Sequence, residues 1–209
     1  MTALELKAGI TLYFARHGET QANVERRFQG RNDTPLTEHG RIQARMLAVI
    51  LAEFLTGQPT PRFVSSPLPR ARTTTELILD ALRLPPVYDT DPRLMEINLG
   101  DWSGLTDEEA QARDPAMWEK RVADKWNVRV PGGGENYAMV ADRLTEWARS
   151  LDRDTVAISH GAATRILRGL LLGLSWQEMS ALDERQDCVF RVSDGVLTRH
   201  EYRGPIPPV

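Results

Sequence analysis

Near the start of the chain an apolar run, Ile10 to Ala15, stops at Arg16-His17-Gly18. A guanidinium offers a planar fork matched to phosphate or carboxylate. A neutral imidazole beside it can attack an electrophile or carry a proton. The same order returns far along the chain, where Thr155 to Ser159 is followed by His160-Gly161. Arginines gather around the first of these stretches. Residues 16–31 hold four Arg and two Glu, and residues 62–72 hold three Arg and no acid. Two imidazoles, at least two guanidiniums and the N-terminus of a following helix around one point would make a phosphate pocket. A single strand-end histidine serves just as well as a structural group. The repeated context at His160 is what argues for a shared site.

The surrounding pattern supplies elements to carry these residues. Ile10–Ala15 and Thr155–Ser159 are short, β-branched and apolar, as buried strands are. A Gly directly after each permits a sharp turn or a close backbone approach to a ligand. Arg62–Ser65 reads as another strand and Val87–Tyr88 as a short one, with Pro85-Pro86 breaking the chain before it. Helices are expected from Thr37 to about Leu55, from Pro69 to Ala81, and from Asn136 to Ser150. Another of about ten residues should follow His160 and end near Gly173. Residues 18–36 read as a long loop, 91–104 as an irregular stretch over the sheet end, and 106–126 as helix interrupted at Pro115. Pro131 to Gly134 is the clearest flexible segment. Residues 187–203, around Ser193-Asp194-Gly195, give a hairpin signal. Strands alternating with helices predict a three-layer α/β/α sandwich around a mainly parallel mixed sheet.

Composition narrows the function. The chain has 209 residues, a net charge of −3, and 41% hydrophobic against 26% charged residues. That suits a globular protein with no general attraction to nucleic acid or an anionic membrane. One cysteine, Cys188, excludes an internal disulfide and a cysteine-based zinc site, and four histidines make a His-rich metal site improbable. No metal and no cofactor are expected. The first nine residues lack the pattern of a signal peptide, and no run of about 18 apolar residues could span a membrane. The cytoplasm is the expected location, a small phosphorylated molecule the expected partner. Nothing in the sequence specifies an oligomeric state.

Taken in order, several motifs resemble those of the histidine phosphatase superfamily, which includes the cofactor-dependent phosphoglycerate mutases. They are Leu12–Thr20, Pro35-Leu36-Thr37, Ser66–Ala71, Leu94-Met95-Glu96, Gly100-Asp101-Trp102 and Ser159-His160-Gly161. The resemblance covers nearly the whole chain and implies a phosphoglycerate mutase-like fold in a single domain, residues 1–209. It also implies roles. His17 matches the nucleophile that is transiently phosphorylated. Arg16, Arg70 and His160 match the groups that hold the phosphoryl oxygens, and Glu96 matches the proton donor to the leaving group. Asn23, Gln29 and Gly161 fall at positions expected to touch phosphate or substrate. Arg72 fits the motif less well and reads equally as helix surface.

Two departures bear on activity. One branch of the family carries Asp directly after the second histidine, where this chain has Gly161, so the acid must be Glu96. The mutases follow their acid with Arg-His-Tyr-Gly, whereas here Glu96 precedes Ile97-Asn98-Leu99. Both the missing residues and a shorter segment before His160 favour a metal-independent phosphomonoesterase over a mutase. A non-catalytic phospho-ligand binder would have no use for Glu96. Substrate choice is expected in Arg26-Arg27-Phe28 and in residues 102–137, a candidate specificity cap holding Trp102, Trp118, Trp126 and Tyr137. Those aromatics serve either to line a pocket or simply to pack.

Overall fold

The computed structural model describes residues 2–205. Its sheet is built from β1 (Leu12–Arg16), β2 (Arg62–Ser65), β3 (Asp89–Thr90), β4 (Thr155–Ser159), β5 (Cys188–Ser193) and β6 (Val196–Glu201). The order is β3-β2-β4-β1-β5-β6. The first four of these are mutually parallel, and β5 turns antiparallel against β1 with β6 antiparallel beyond it. Alternation along β1 divides the core. Leu12 and Phe14 point to one side, among Val140, Leu144 and Trp147 of α6 (Tyr137–Ser150) and Ile166 and Leu167 of α7 (Gly161–Leu171). Tyr13 and Ala15 point to the other, among Leu47 and Leu51 of α2 (Glu38–Leu55) and Ile78 and Leu79 of α3 (Pro69–Ala81). This is the expected three-layer sandwich, held by apolar burial on both faces.

Local chemistry sets where the helices start. Thr37 caps α2 by accepting from the Gly40 N–H (3.0 Å), and Asn136 caps α6 by accepting from Met139 (2.9 Å). α3 begins on Pro69, whose missing N–H costs nothing there. The N-cap of α7 is His160, whose ring makes no capping bond, so the first N–H groups of that helix are left for another partner.

Several expectations need adjustment. The third strand lies at Asp89–Thr90, two residues past Val87–Tyr88. The turn after Pro85 closes through Val87 N–H to the Pro85 carbonyl (2.7 Å), and strand pairing starts only at Asp89, opposite Val64. The 18–36 loop contains one helical turn, α1 (Gln21–Val24), capped by Thr20 and Asn23 on each other's backbone. The 106–126 stretch is two helices, α4 (Asp107–Arg113) and α5 (Pro115–Ala123). A further helix, α8 (Trp176–Ala181), follows α7. The irregular 91–104 stretch carries two 3-10 turns, Pro92–Leu94 and Gly100–Trp102. Pro131–Gly134 is tied down: the Pro131 carbonyl accepts from Asp101 (2.9 Å), and Gly134 donates to Val130 (3.1 Å). Among the described residues no helix is long and apolar enough to cross a membrane.

Candidate active site

The parallel register brings the two histidine motifs level. Arg16 on β1 lies opposite Ser159 on β4, and the His17 N–H continues the ladder to the Ser159 carbonyl (2.9 Å). His17 and His160 therefore leave neighbouring strands at the same height, with ring centroids 5.1 Å apart and both rings buried. The next strand gives Ser66, whose Oγ is hydrogen-bonded to His160 Nε2 (2.7 Å). α3 follows immediately and projects Arg70 into the same point.

The tautomer of His17 is fixed from both sides. Nδ1–H donates to the Gly18 carbonyl (2.7 Å), which can only accept. Nε2 accepts from Arg70 Nε–H (3.1 Å), which can only donate. The unprotonated nitrogen is thus Nε2. Burial, then the Arg70 and Arg16 charges, hold its pKa well below the ordinary histidine value, against a small opposing pull from the Gly18 bond. His160 is lowered in the same way, by burial first and then by Arg70, His17 and Arg16.

Gly18 is small for packing rather than for a ligand. A Cβ there would stand 2.2 Å from the Gly40 carbonyl oxygen, and one on Gly40 would stand 2.1 Å from that of Glu19. This close approach lets α2 and α3 grip the turn: Gly18 N–H donates to Thr74 Oγ1 (3.1 Å) and Glu19 N–H to Gln43 Oε1 (2.7 Å). The carbonyl that orients His17 is thereby held in place.

Arg70 is only 2% exposed. Besides His17 it donates through Nη1 to the Asn32 carbonyl (2.7 Å) and Asp33 Oδ1 (2.9 Å), and through Nη2 to the Gly30 carbonyl (2.8 Å). Burial lowers its pKa and the Glu96 and Asp33 carboxylates oppose that, but it stays charged. With four of its five N–H groups bonded, one remains. Arg16 donates through Nη1 to the Glu184 carbonyl (2.5 Å), while its Nε is buried without a partner. The Nδ1 of His160 is likewise buried and unpartnered. Arg16 and Arg70 therefore keep unspent N–H groups beside His17, and His160 Nδ1–H is a third donor in the tautomer whose Nε2 accepts from Ser66 Oγ–H.

Glu96 answers the question left by α7. Its Oε1 accepts from Ile97 N–H (2.9 Å) and Ala163 N–H (3.2 Å), and its Oε2 accepts from Ala162 N–H (3.2 Å). The helix N-terminus expected to meet a phosphate is instead occupied by this carboxylate. Ser159 Oγ–H donates to the Leu94 carbonyl (2.7 Å), pinning the 94–96 segment to the end of β4. Burial raises the Glu96 pKa and the Glu184 charge adds to it; the Ile97 N–H, Arg70 and Arg16 pull the other way.

A cavity of about 310 Å³ opens over this point, and Arg16, His17, Arg70 and Glu96 all line it. So do Asn23 and Gln29. Asn23 Oδ1 accepts from Thr20 N–H and Gln186 Nε2 (both 3.1 Å), and Gln29 Nε2 donates to Thr20 Oγ1 (2.6 Å). Gly161 sits beneath the wall, where a Cβ would be 2.4 Å from Glu184 Oε2 and 3.3 Å from Arg16 Cζ. Glu19, Asp101 and Glu135, the other carboxylates near the motifs, do not line the cavity. Arg72 lies on the α3 surface, bonded to Tyr88 Oη (3.2 Å). Of the cap aromatics, Trp102, Trp118 and Tyr137 face the cavity and also pack, Trp118 standing 5.3 Å from Trp102, while Trp126 only packs against the main core. Phe28 joins them, its backbone exchanging two hydrogen bonds with Gly104 and Leu105.

The motifs did not disclose Glu184 and Gln186. Glu184 pairs with Arg165 (3.0 Å) and lies 3.7 Å from Arg16, and Gln186 Nε2 donates to the His17 carbonyl (3.0 Å). They reach the site because β5 runs antiparallel to β1 and so starts where β1 ends. The charged run Asp183 to Asp187 just before the hairpin was the available signal. Among the described residues no group of three or more His, Cys, Asp or Glu is placed to hold a metal ion.

A sequence model of the histidine phosphatase superfamily (branch 1) matches residues 12–195. The chain is 38% identical over 176 residues to the glucosyl-3-phosphoglycerate phosphatase of Mycolicibacterium vanbaalenii, covering 78% of this chain and 74% of that one. It is 34% identical over 181 residues to a probable phosphoglycerate mutase, GpmB, of Escherichia coli O1:K1 / APEC, covering 81% and 78%. A mycobacterial glucosyl-3-phosphoglycerate phosphatase solved with VO3 superposes with a TM-score of 0.72 at 31% identity, over 93% of this chain and 98% of that one.

Proposed function

This chain belongs to the histidine phosphatase superfamily, and on that premise we propose that it is a phosphomonoesterase working through a phosphohistidine at His17. The observation that carries the proposal is the fixed tautomer of His17, with its Nε2 lone pair facing a buried guanidinium and Glu96 in the same cavity. The substrate phosphoryl group takes the three unspent donors: Arg16 Nε–H, the free Arg70 N–H and His160 Nδ1–H. Fixed donors aimed at the equatorial oxygens stabilise the charge of phosphoryl transfer. As substrate enters, Arg70 Nε–H turns from His17 to a phosphoryl oxygen and frees the lone pair.

Nε2 then attacks phosphorus. The N–P bond forms as the ester P–O bond breaks, and the leaving alkoxide takes the proton of Glu96. A water next attacks phosphorus and gives a proton to Glu96, the N–P bond breaks, and inorganic phosphate leaves. Both groups return to their starting states. The charge is balanced by the arginine guanidiniums, with His160 a neutral hydrogen-bond donor, so the reading requires no metal. Asn23 and Gln29 border the scissile group, with Gly161 keeping the floor low. Residues 102–137 act as a specificity cap on a single catalytic domain, residues 1–209. The substrate is a small phosphorylated metabolite, and the lone cysteine suits a cytoplasmic setting.

The test is a phosphatase screen with and without EDTA, followed by trapping with labelled substrate. Wild type should release phosphate in either condition and form an acid-labile phosphoenzyme, and His17→Ala should lose both. Turnover in His17→Ala, or loss on chelation restored by Mg²⁺ or Zn²⁺, would refute the mechanism. Phosphoglycerate assays decide between hydrolysis and the mutase reading: a mutase would isomerise 3-phosphoglycerate faster than it releases phosphate.

A further inference from the structure

Above the phosphate pocket the cavity holds a second basic cluster that the phosphatase mechanism does not use. Arg121 of α5 is only 5% exposed, yet no carboxylate lies within 4 Å of it among the described residues. Its Nε and Nη1 are buried without hydrogen-bond partners. The guanidinium lies 5.2 Å from the centroid of the Tyr137 ring, which has Arg165 on it as well, at 5.7 Å. Lys125, four residues after Arg121 and just past the end of α5, lines the same wall and has no ion pair among the described residues. A buried guanidinium with unspent donors is costly to keep unless something anionic arrives to use them.

The charge inventory points the same way. Six cationic side chains line the cavity against three carboxylates, Glu96, Asp107 and Glu184. Four of the six already face a carboxylate: Arg16 and Arg165 share Glu184, Arg27 has Glu109 and Arg70 has Asp33. The two without one among the described residues, Arg121 and Lys125, lie on the cap side with Trp118 and Tyr137, and not at His17. We propose, resting on the phosphatase reading above, that the substrate is a phosphomonoester carrying a second anionic group, a carboxylate or another phosphoryl. Arg121 and Lys125 bind that group, and Arg165 supports it from across Tyr137.

The test compares esters that differ in the second anion. 3-Phosphoglycerate carries a carboxylate where glycerol 3-phosphate has a hydroxymethyl group, and propane-1,3-diyl bisphosphate carries a second phosphoryl. Wild type should favour one of the two-anion esters over glycerol 3-phosphate by at least about tenfold in kcat/KM. Preference for phosphoglycerate identifies a carboxylate, and preference for the bisphosphate a phosphoryl. Arg121→Gln and Lys125→Met should each reduce that ratio about 10- to 100-fold, chiefly through KM, as expected for a lost charged hydrogen bond. Arg121→Lys, which restores charge, should recover part of it. p-Nitrophenyl phosphate, with a single anion, reports on the catalytic centre of each variant, and Lys125→Met, at a half-buried site, serves if Arg121→Gln does not fold. A wild type that hydrolyses p-nitrophenyl phosphate but shows no preference for a second anion overturns the inference and leaves the phosphatase reading standing. Equal losses on all esters in the folded variants overturn it too. A wild type inactive on every ester overturns both.

Discussion

Replacing Glu96 by Gln separates its chemical role from its structural one. The carboxylate accepts three backbone N–H bonds, two on Oε1 and one on Oε2. An amide has one accepting oxygen, which should take the Oε1 position and keep Ile97 and Ala163. Its NH₂ then faces the Ala162 N–H, donor against donor. Leaving that buried N–H unpaired costs about 1–3 kcal/mol, and about 2–4 °C of Tm accompanies each kcal/mol in a chain of this size. Fold is retained, but the proton is gone. An alkyl phosphate has a poor leaving group and should slow by about 10²- to 10⁴-fold. p-Nitrophenolate leaves without protonation, so the first step on p-nitrophenyl phosphate should suffer far less. Hydrolysis of the phosphoenzyme, where Glu96 is the base, then limits turnover. Rapid-quench kinetics should show a stoichiometric burst of nitrophenolate and an accumulated phosphoenzyme. Equal slowing of both substrates with no burst would refute the acid–base assignment and reduce Glu96 to the partner of α7.

Two further perturbations test the frame. Gly18→Ala places a methyl 2.2 Å from the Gly40 carbonyl oxygen, so the turn must shift and carry the Gly18 carbonyl off His17 Nδ1; kcat should fall at least about tenfold with an overpacking cost of about 1–3 kcal/mol, and unchanged steady-state kinetics would deny that this carbonyl orients the nucleophile. Acid stability follows from the two buried imidazoles, whose folded pKa values lie below 6.5. As pH falls through about 6.5 the unfolded chain binds protons first, so stability present above that pH is lost, at up to about 1.4 kcal/mol per pH unit for each imidazole. Glu96, raised in the fold, works in the opposite sense. Urea melts between pH 7.5 and 5.5 should show this loss, and His160→Ala should flatten its slope; an unchanged slope would exclude His160 as a source.

What could be read from the sequence was local. Arg16-His17-Gly18 and Ser159-His160-Gly161 each announce a strand ending in a residue fit for chemistry, and the structure sets β1 and β4 side by side in parallel register. Arg70 and Glu96 were accessible through motifs. What Glu96 touches was not, because its three N–H partners come mostly from a helix 66 and 67 residues away. Glu184 and Gln186 were hidden for the same reason: only the antiparallel return of β5 brings them to His17. The missed helix α8 is a different case. Ser175 and Glu178 form a capping box, Ser175 N–H to Glu178 Oε2 at 2.8 Å, a signal present in four consecutive residues. Gly18 is expected from the sequence to make a sharp turn or a close approach to a ligand, and the structure presses it against Gly40 instead, since no pattern identifies which backbone will meet a turn.

The occupation of the α7 N-terminus by Glu96 bears on how one residue can serve both half-reactions. Helix N–H groups and the nearby guanidiniums favour the carboxylate, whereas burial and Glu184 favour the acid. A group held by opposing influences can give a proton in the first step and take one in the second without either state being strongly disfavoured. Arrival of a phosphoryl dianion tips the balance towards the acid, by drawing on Arg16 and Arg70 and by adding negative charge nearby. Departure of the alcohol leaves Glu96 ionised, and the α7 N–H groups then hold the carboxylate ready for water. The substrate phosphate does not need the helix end, because arginine and histidine donors already surround it. In this arrangement the helix serves the acid–base group, and the guanidiniums serve the phosphoryl group.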